Sequence, residues 1–211
     1  MKHLLAALLL AASAVSAPVS AQAAPTTLTG AARTQALAQA NKALNLAGPV
    51  QGRFVQLNPN GRAITGTFYL QRPGKVRFSY DAPSAMAIVS DGTVVSIEDS
   101  KLKTVNRAPL NTTPLHLLLK RNVDLERDTK ITKVEIDGDS VAVALREKAK
   151  QSNGELTLYF DGPSRELRRW QVIDAAGNVT LTALQSVQNV ASIDPKLFVT
   201  MQPKVSPRAR P

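Results

Sequence analysis

The sequence contains no cysteine. That absence removes disulfide frameworks, thiol catalysis, cysteine-based zinc sites and iron–sulfur clusters together. Histidine is almost missing as well, with two in 211 residues, His3 and His116, so a histidine-built metal site is out of reach. There is no glycine-rich phosphate loop, no G-x-S-x-G and no cofactor fingerprint. Paired carboxylates occur at Asp137 and Asp139, where they flank Gly138 as ordinary hairpin residues. His116 lies in an apolar run, Leu115-His116-Leu117-Leu118-Leu119, with no acid within eight residues before or seven after it. It reads as a helix residue rather than a general base. The expectation is a protein that is not an enzyme and that needs no cofactor and no metal.

Long apolar runs are also missing, with one exception at the start. Lys2 and His3 precede an unbroken stretch of Leu, Ala, Ser and Val over residues 4–15. This run falls well short of the roughly 20 residues a bilayer-spanning helix needs. Ala21-Gln22-Ala23 then fits a small-x-small cleavage site. Residues 1–23 therefore read as a secretory signal peptide cleaved near Ala23, and no cysteine follows to carry a lipid anchor. The mature chain is expected in an exported, periplasmic compartment. Twenty-six Lys and Arg against sixteen Asp and Glu leave +10. The charges interleave without a run of five of one sign, and aromatics are only 4% of the chain. Export, dispersed charge and few stacking residues exclude nucleic acid as a partner.

What is present is alternation. Residues 31–47 carry Leu37, Ala40, Leu44 and Ala47 on one helical stripe, ended by Gly48-Pro49. From Val50 the period changes to two. Residues 50–58, 63–71, 75–81, 86–90, 93–98 and 102–107 read as strands joined by Pro59-Asn60-Gly61, Arg72-Pro73-Gly74 and Asp91-Gly92. Thr113-Pro114 then opens a short apolar helix over 115–120, with Thr113 as N-cap. Strands resume over 131–136, 140–146, 154–160, 166–173 and 179–190, and a last short one over 197–201. Residues 203–211, rich in Pro and Arg, read as a disordered tail. The expected fold is mainly β with an α lid: one domain, residues 24–202, in a single antiparallel meander of about eleven strands. A sheet that long must curl, which gives an incomplete, half-open β-barrel covered by short helices. Its apolar face, with Phe68, Leu70, Val76, Phe78, Tyr80 and Ile88, would line a cavity for apolar ligands.

The stretch 51–119 is similar to the periplasmic lipoprotein carrier family LolA. The residues that carry the likeness are Gln51-Gly52-Arg53-Phe54-Val55-Gln56 and the run from Gly66 through Arg72-Pro73-Gly74-Lys75-Val76-Arg77-Phe78-Ser79-Tyr80. Ile88-Val89-Ser90-Asp91-Gly92, Pro109-Leu110, Thr113-Pro114 and Leu117-Leu118 follow in order. Val95 and Glu98 stand where the family often has Trp or Tyr, so that cavity wall is expected to differ. The terminal extension of some members is also missing. The resemblance implies a carrier that shelters the acyl chains of lipoproteins between the inner and outer membranes. Its implied partners are acylated lipoproteins, an inner-membrane lipoprotein-releasing ABC transporter and, if one exists, an outer-membrane lipoprotein receptor. A monomer is expected. The family's latch arginine falls on Arg72, which would tie lid helices bearing Leu37, Leu44, Leu115, Leu118 and Leu119 to the barrel. Strand parity agrees, since Arg72 shares the face of Phe68 and Leu70. A lipid- or lipoprotein-binding sensor on the same architecture is the alternative reading.

Overall fold

The computed structural model describes residues 24–46, 48–148 and 154–202. The expected signal peptide and the expected tail lie outside these residues. A long helix, α1 (Gly30–Leu46), follows a two-residue strand, β1 (Thr26–Thr27). Six strands come next: β2 (Val50–Leu57), β3 (Ala63–Gln71), β4 (Lys75–Tyr80), β5 (Met86–Asp91), β6 (Val94–Asp99) and β7 (Thr104–Pro109). Two short helices, α2 (Leu115–Leu119) and α3 (Leu125–Asp128), lead to β8 (Thr129–Asp137), β9 (Ser140–Glu147), β10 (Glu155–Asp161), β11 (Glu166–Ile173) and β12 (Val179–Asn189).

Among the described residues, twelve strands form one antiparallel sheet in the order β1-β8-β9-β10-β11-β12-β2-β3-β4-β5-β6-β7. The single meander expected from sequence is two meanders, β2–β7 and β8–β12, joined where β12 pairs with β2. Strands β7 and β8 are consecutive in the chain yet lie at opposite ends of the sheet, with β1 added outside β8. The sheet therefore stays open, and the connection that carries α2 and α3 runs from one free end to the other.

One face of the sheet carries the core. Alternate residues of each strand, among them Phe54, Phe68, Val76, Phe78, Val143, Leu145, Leu156, Leu158 and Phe160, join Leu37, Ala40 and Leu44 of α1 and Leu117, Leu118 and Leu119 of α2 in one buried cluster. Two cross-strand pairs set how closely β2 and β3 are covered. Gly66 faces Phe54 and Gly52 faces Phe68. A side chain at Gly52 would stand 2.8 Å from the Phe68 ring, and one at Gly66 would collide with the Phe54 ring and the Ser79 carbonyl. Each ring lies over a strand residue that has no side chain to displace it.

The opposite face is covered at one end by the C-terminal segment. Residues 197–201 were expected as a strand. Instead Pro195–Phe198 is a 3₁₀ turn, with Asp194 accepting from the Lys196 backbone N–H at 2.9 Å. Asp-Pro thus acts as a cap and first helical residue, not as a strand opening. Phe198 is buried with Val89 and Ala87 on this side, and Arg77 donates to the Leu197 carbonyl at 3.2 Å. Glu98 also faces this side, so it is no part of a cavity wall. It is buried, and it accepts from the Ser96 hydroxyl at 2.7 Å and from the Met201 N–H at 2.6 Å. Arg107 takes the Thr200 hydroxyl at 3.0 Å and the Met201 carbonyl. Val95 is in the core cluster on the lid side.

Candidate functional site

A helix leaves its last carbonyls without internal partners. Both lid helices end against the turn between β3 and β4, and that turn supplies the missing donors. Arg72 Nε donates to the Leu118 carbonyl of α2 at 2.7 Å, and its Nη1 donates to the Leu44 carbonyl of α1. The Gly74 N–H donates to the Leu119 carbonyl at 2.8 Å. Gly74 has φ +78, and a Cβ there would press on the Gly92 backbone. Glycine therefore suits both the turn and its close approach to the neighbouring hairpin. Burial lowers the Arg72 guanidinium from its ordinary pKa, with no acidic group acting against it. Two carbonyls from two different helices are what hold this charge.

A second set of contacts ties the connection after α2 to α1. Asn45 Nδ2 donates to the Val123 carbonyl at 2.7 Å, and Asn45 Oδ1 accepts from the Val123 N–H at 2.8 Å. Asn41 Oδ1 accepts from the Leu125 N–H at 2.9 Å. Arg33 reaches Glu126 at 3.4 Å. Sequence reading passed over this pair. The available signal was two asparagines at i and i+4 in a helix, where they are poor helix formers and so need another reason to be there. The α3 turn, also not read from sequence, is closed by Asp124, which accepts from the Arg127 N–H. Asp128 sits beside it, nearly buried. Burial raises its pKa, but hydrogen bonds from Arg127, the Asp124 backbone and Lys120 outweigh that and hold its carboxyl well below the usual range.

Leu37, Leu44, Leu118 and Leu119 are buried against the sheet, and Leu115 packs at the edge of the cluster. Thr113 does not cap α2. Its hydroxyl donates to the Leu110 carbonyl at 2.8 Å, because a 3₁₀ turn over Leu110–Thr112 precedes it, and Pro114 takes the cap position. Of the side chains expected to line a cavity, Phe68, Val76 and Phe78 are fully packed under the lid, while Leu70, Tyr80 and Ile88 pack at its margin. Phe78 makes edge contacts with Phe54 and with Trp170, at ring separations of 5.1 and 6.0 Å. The Tyr80 hydroxyl donates to Gln56 at 3.0 Å. With the lid down these residues form a core.

Open space lies elsewhere. A cleft of about 440 Å³ runs between α2 and strands β9, β10 and β11. Leu117, Leu145, Leu156 and Val172 supply apolar lining, and His116 and Lys120 stand on the helix side. Sequence reading named none of these as a site, because they come from four separate elements with no local motif.

One partly buried arginine thus bonds the ends of both helices over the apolar face of the sheet. Comparison with known proteins gives the same direction. Residues 47–201 match the family described as outer membrane lipoprotein carrier protein LolA. An outer-membrane lipoprotein carrier protein from Chromobacterium violaceum is 31% identical over 144 residues, covering 66% of this chain and 69% of the relative. One from Nitrosomonas europaea is 30% identical over 173 residues, covering 78% and 82%. Among solved structures, a DUF1329 family protein from Desulfovibrio piger shares the fold with a TM-score of 0.51 at 10% identity, over 80% of this chain and 98% of that one. On the extent of the family match and the identity to these carriers, the chain belongs to the LolA family.

Proposed function

We propose that the protein is a periplasmic carrier that shelters the acyl chains of lipoproteins on the lid-covered face of its sheet and takes them from the inner to the outer membrane. On this reading it acts after removal of residues 1–23, as a single domain over residues 24–202, and performs no covalent chemistry. Its partners would be acylated lipoproteins, an inner-membrane lipoprotein-releasing ABC transporter and an outer-membrane lipoprotein receptor.

The observation that supports it most is Arg72. A carrier needs an apolar hole that is closed when empty and gives up its cargo afterwards. Each methylene of an acyl chain gains about 0.8 kcal/mol on leaving water, so affinity is easily supplied and release is the harder requirement. An arginine bonded to the ends of both lid helices opposes loading, because the bonds break when the lid lifts. It favours return to the empty form for the same reason.

The test is displacement. The mature protein should bind an environment-sensitive apolar dye. A triacylated lipoprotein should displace it, and the same polypeptide without acyl chains should not. A protein that binds no dye, or whose dye is indifferent to acylated cargo, has no lipid-sheltering cavity, and the carrier reading fails.

A further inference from the structure

Among the described residues, seven large apolar side chains are exposed. Four of them, Leu57, Met86, Leu102 and Val179, lie at one end of the sheet, where β2 ends, β5 begins, β6 turns into β7 and β12 begins. The lid helices are fastened at the other end. There the Asp91-Gly92 turn before β6 abuts Gly74 of the latch turn. The six residues of β6 set the β6–β7 turn apart from it by roughly 20 Å.

The β6–β7 turn carries the most exposed of the four. Leu102 is 70% exposed and stands between Lys101 and Lys103, both exposed. The fold of the turn asks for none of these three side chains. Asp99 Oδ1 accepts from the Lys101 and Leu102 N–H groups at 2.9 and 2.8 Å. Ser100 donates to the Ala85 carbonyl through its N–H at 3.0 Å and its hydroxyl at 3.2 Å. Lys103 has φ +56, where glycine is free of strain and lysine is not. A lone exposed leucine is ordinary on a protein surface. A braced turn that projects Lys-Leu-Lys, with its last side chain at a glycine's place, is not explained by folding.

The acids at this end are turned back onto the protein. Asp81 pairs with Arg53 and accepts from the Thr65 hydroxyl. Asp174 accepts from the Ala176 and Asn178 N–H groups of its own turn. Arg62, Lys101 and Lys103 are exposed and make no ion pair among the described residues. A protein partner would need a pocket for Leu102 and acids spaced for the two lysines. An anionic bilayer offers an apolar interior and headgroup phosphates at every point of its surface.

Resting on the carrier reading above, we propose that this end of the sheet, led by the Lys101-Leu102-Lys103 turn, is where the protein touches an anionic phospholipid bilayer. The contact would be brief and salt-sensitive, since one leucine and a few cations carry it. It uses neither the latch nor the lid-covered face, so it can form with the lid open or closed.

The test uses the mature protein without cargo, floated with vesicles of phosphatidylethanolamine and phosphatidylglycerol or of phosphatidylcholine alone. Binding to the anionic vesicles should exceed binding to phosphatidylcholine at least fivefold. The excess should vanish in about 1 M salt, which screens charges beyond about 3 Å. Each cation near an anionic surface contributes about a factor of five, so Lys101→Gln and Lys103→Gly should each lose about that much. Leu102→Ser should lose at least as much. Lys103→Gly should unfold at no lower denaturant concentration than the parent, because glycine relieves the backbone, and this separates a lost contact from a lost fold. All three variants should keep dye displacement by acylated lipoprotein. Equal binding to both vesicle types, or to neither, overturns the proposal. Anionic-vesicle binding that all three variants retain overturns it too, and slower transfer by those variants to a purified receptor would then assign the turn to a protein partner. If lipoprotein fails to displace dye while the parent still binds anionic vesicles, the carrier reading falls and the membrane contact stands without it.

Discussion

Replacing Arg72 with leucine should separate loading from delivery. The guanidinium makes charge-assisted hydrogen bonds to the Leu118 and Leu44 carbonyls, and bonds of that kind contribute about 1.5–3 kcal/mol each. The cost of burying the charge, visible in its lowered pKa, offsets part of that. A net closing energy near 1.5–3 kcal/mol is a reasonable sum, and at about 1.4 kcal/mol per tenfold it corresponds to a bias of ten- to a hundredfold toward the latched, empty form. Leucine keeps most of the volume and removes the bias. The closed, folded state should lose no more than that same amount, about 1.5–3 kcal/mol, since a latch goes and no core methyl does. The Gly74 bond to Leu119 remains, so α2 keeps one tie. The variant should take up lipoprotein as well as the parent or better. Transfer from preloaded protein to acceptor vesicles or receptor should then fall at least tenfold. The assay compares release rates of labelled lipoprotein from parent and variant, alongside denaturant unfolding of each. Parental release rates in a folded Arg72→Leu protein would refute the latch argument, because the same bonds could then be lost without altering the return to the empty form.

Other expectations follow from single contacts. Gly66→Ala should lower stability by about 1–3 kcal/mol in denaturant unfolding, the usual cost of overpacking, because the new methyl meets Phe54 and the Ser79 carbonyl. Asn45→Ala leaves the Val123 N–H and carbonyl without their partner and should cost about 1–3 kcal/mol. Hydrogen exchange should show the loss concentrated in residues 121–128. Asp128 is held below its ordinary pKa of 3.8, so its ionised form favours the folded state above that value and the benefit fades as pH falls through the lower, folded pKa. Asp128→Asn should therefore be less stable than the parent at pH 7, with the difference shrinking below pH 4 in parallel unfolding titrations.

Much of the sheet was legible because its turns are local chemistry. Gly138, Gly162 and Gly177 all have positive φ in the hairpins that Asp137-Gly138, Asp161-Gly162 and Gly177-Asn178 announce, and the strands they join fall within a residue or two of expectation. Parity gave the side of the sheet on which Arg72 lies, the side of the Leu118 and Leu44 carbonyls it bonds. The pairing of β12 with β2 was not legible, since nothing within either strand encodes a neighbour more than a hundred residues away. Strand β1 has two residues and exists only because Ile136 and Glu135 offer a partner. The Pro195–Phe198 turn was misread because Leu197, Phe198 and Val199 resemble a strand when their cap is ignored. The cleft escaped notice for a related reason: its lining is assembled from α2 and three strands, and no window of sequence contains it.

The connection between β7 and β8 behaves like a bowstring tied to the two tips of an open bow. Its ends belong to strands at opposite limits of the sheet, and its middle is pinned to α1 by Asn41 and Asn45 and to the β3–β4 turn by Arg72 and Gly74. Spreading the sheet to admit a larger cargo would draw that string taut, and slackening it would let the tips approach. On the carrier reading, capacity and closure would then be a single mechanical variable. On that reading, lengthening the loop at 121–122 by a few glycines should enlarge the range of acylated cargo that displaces the apolar dye.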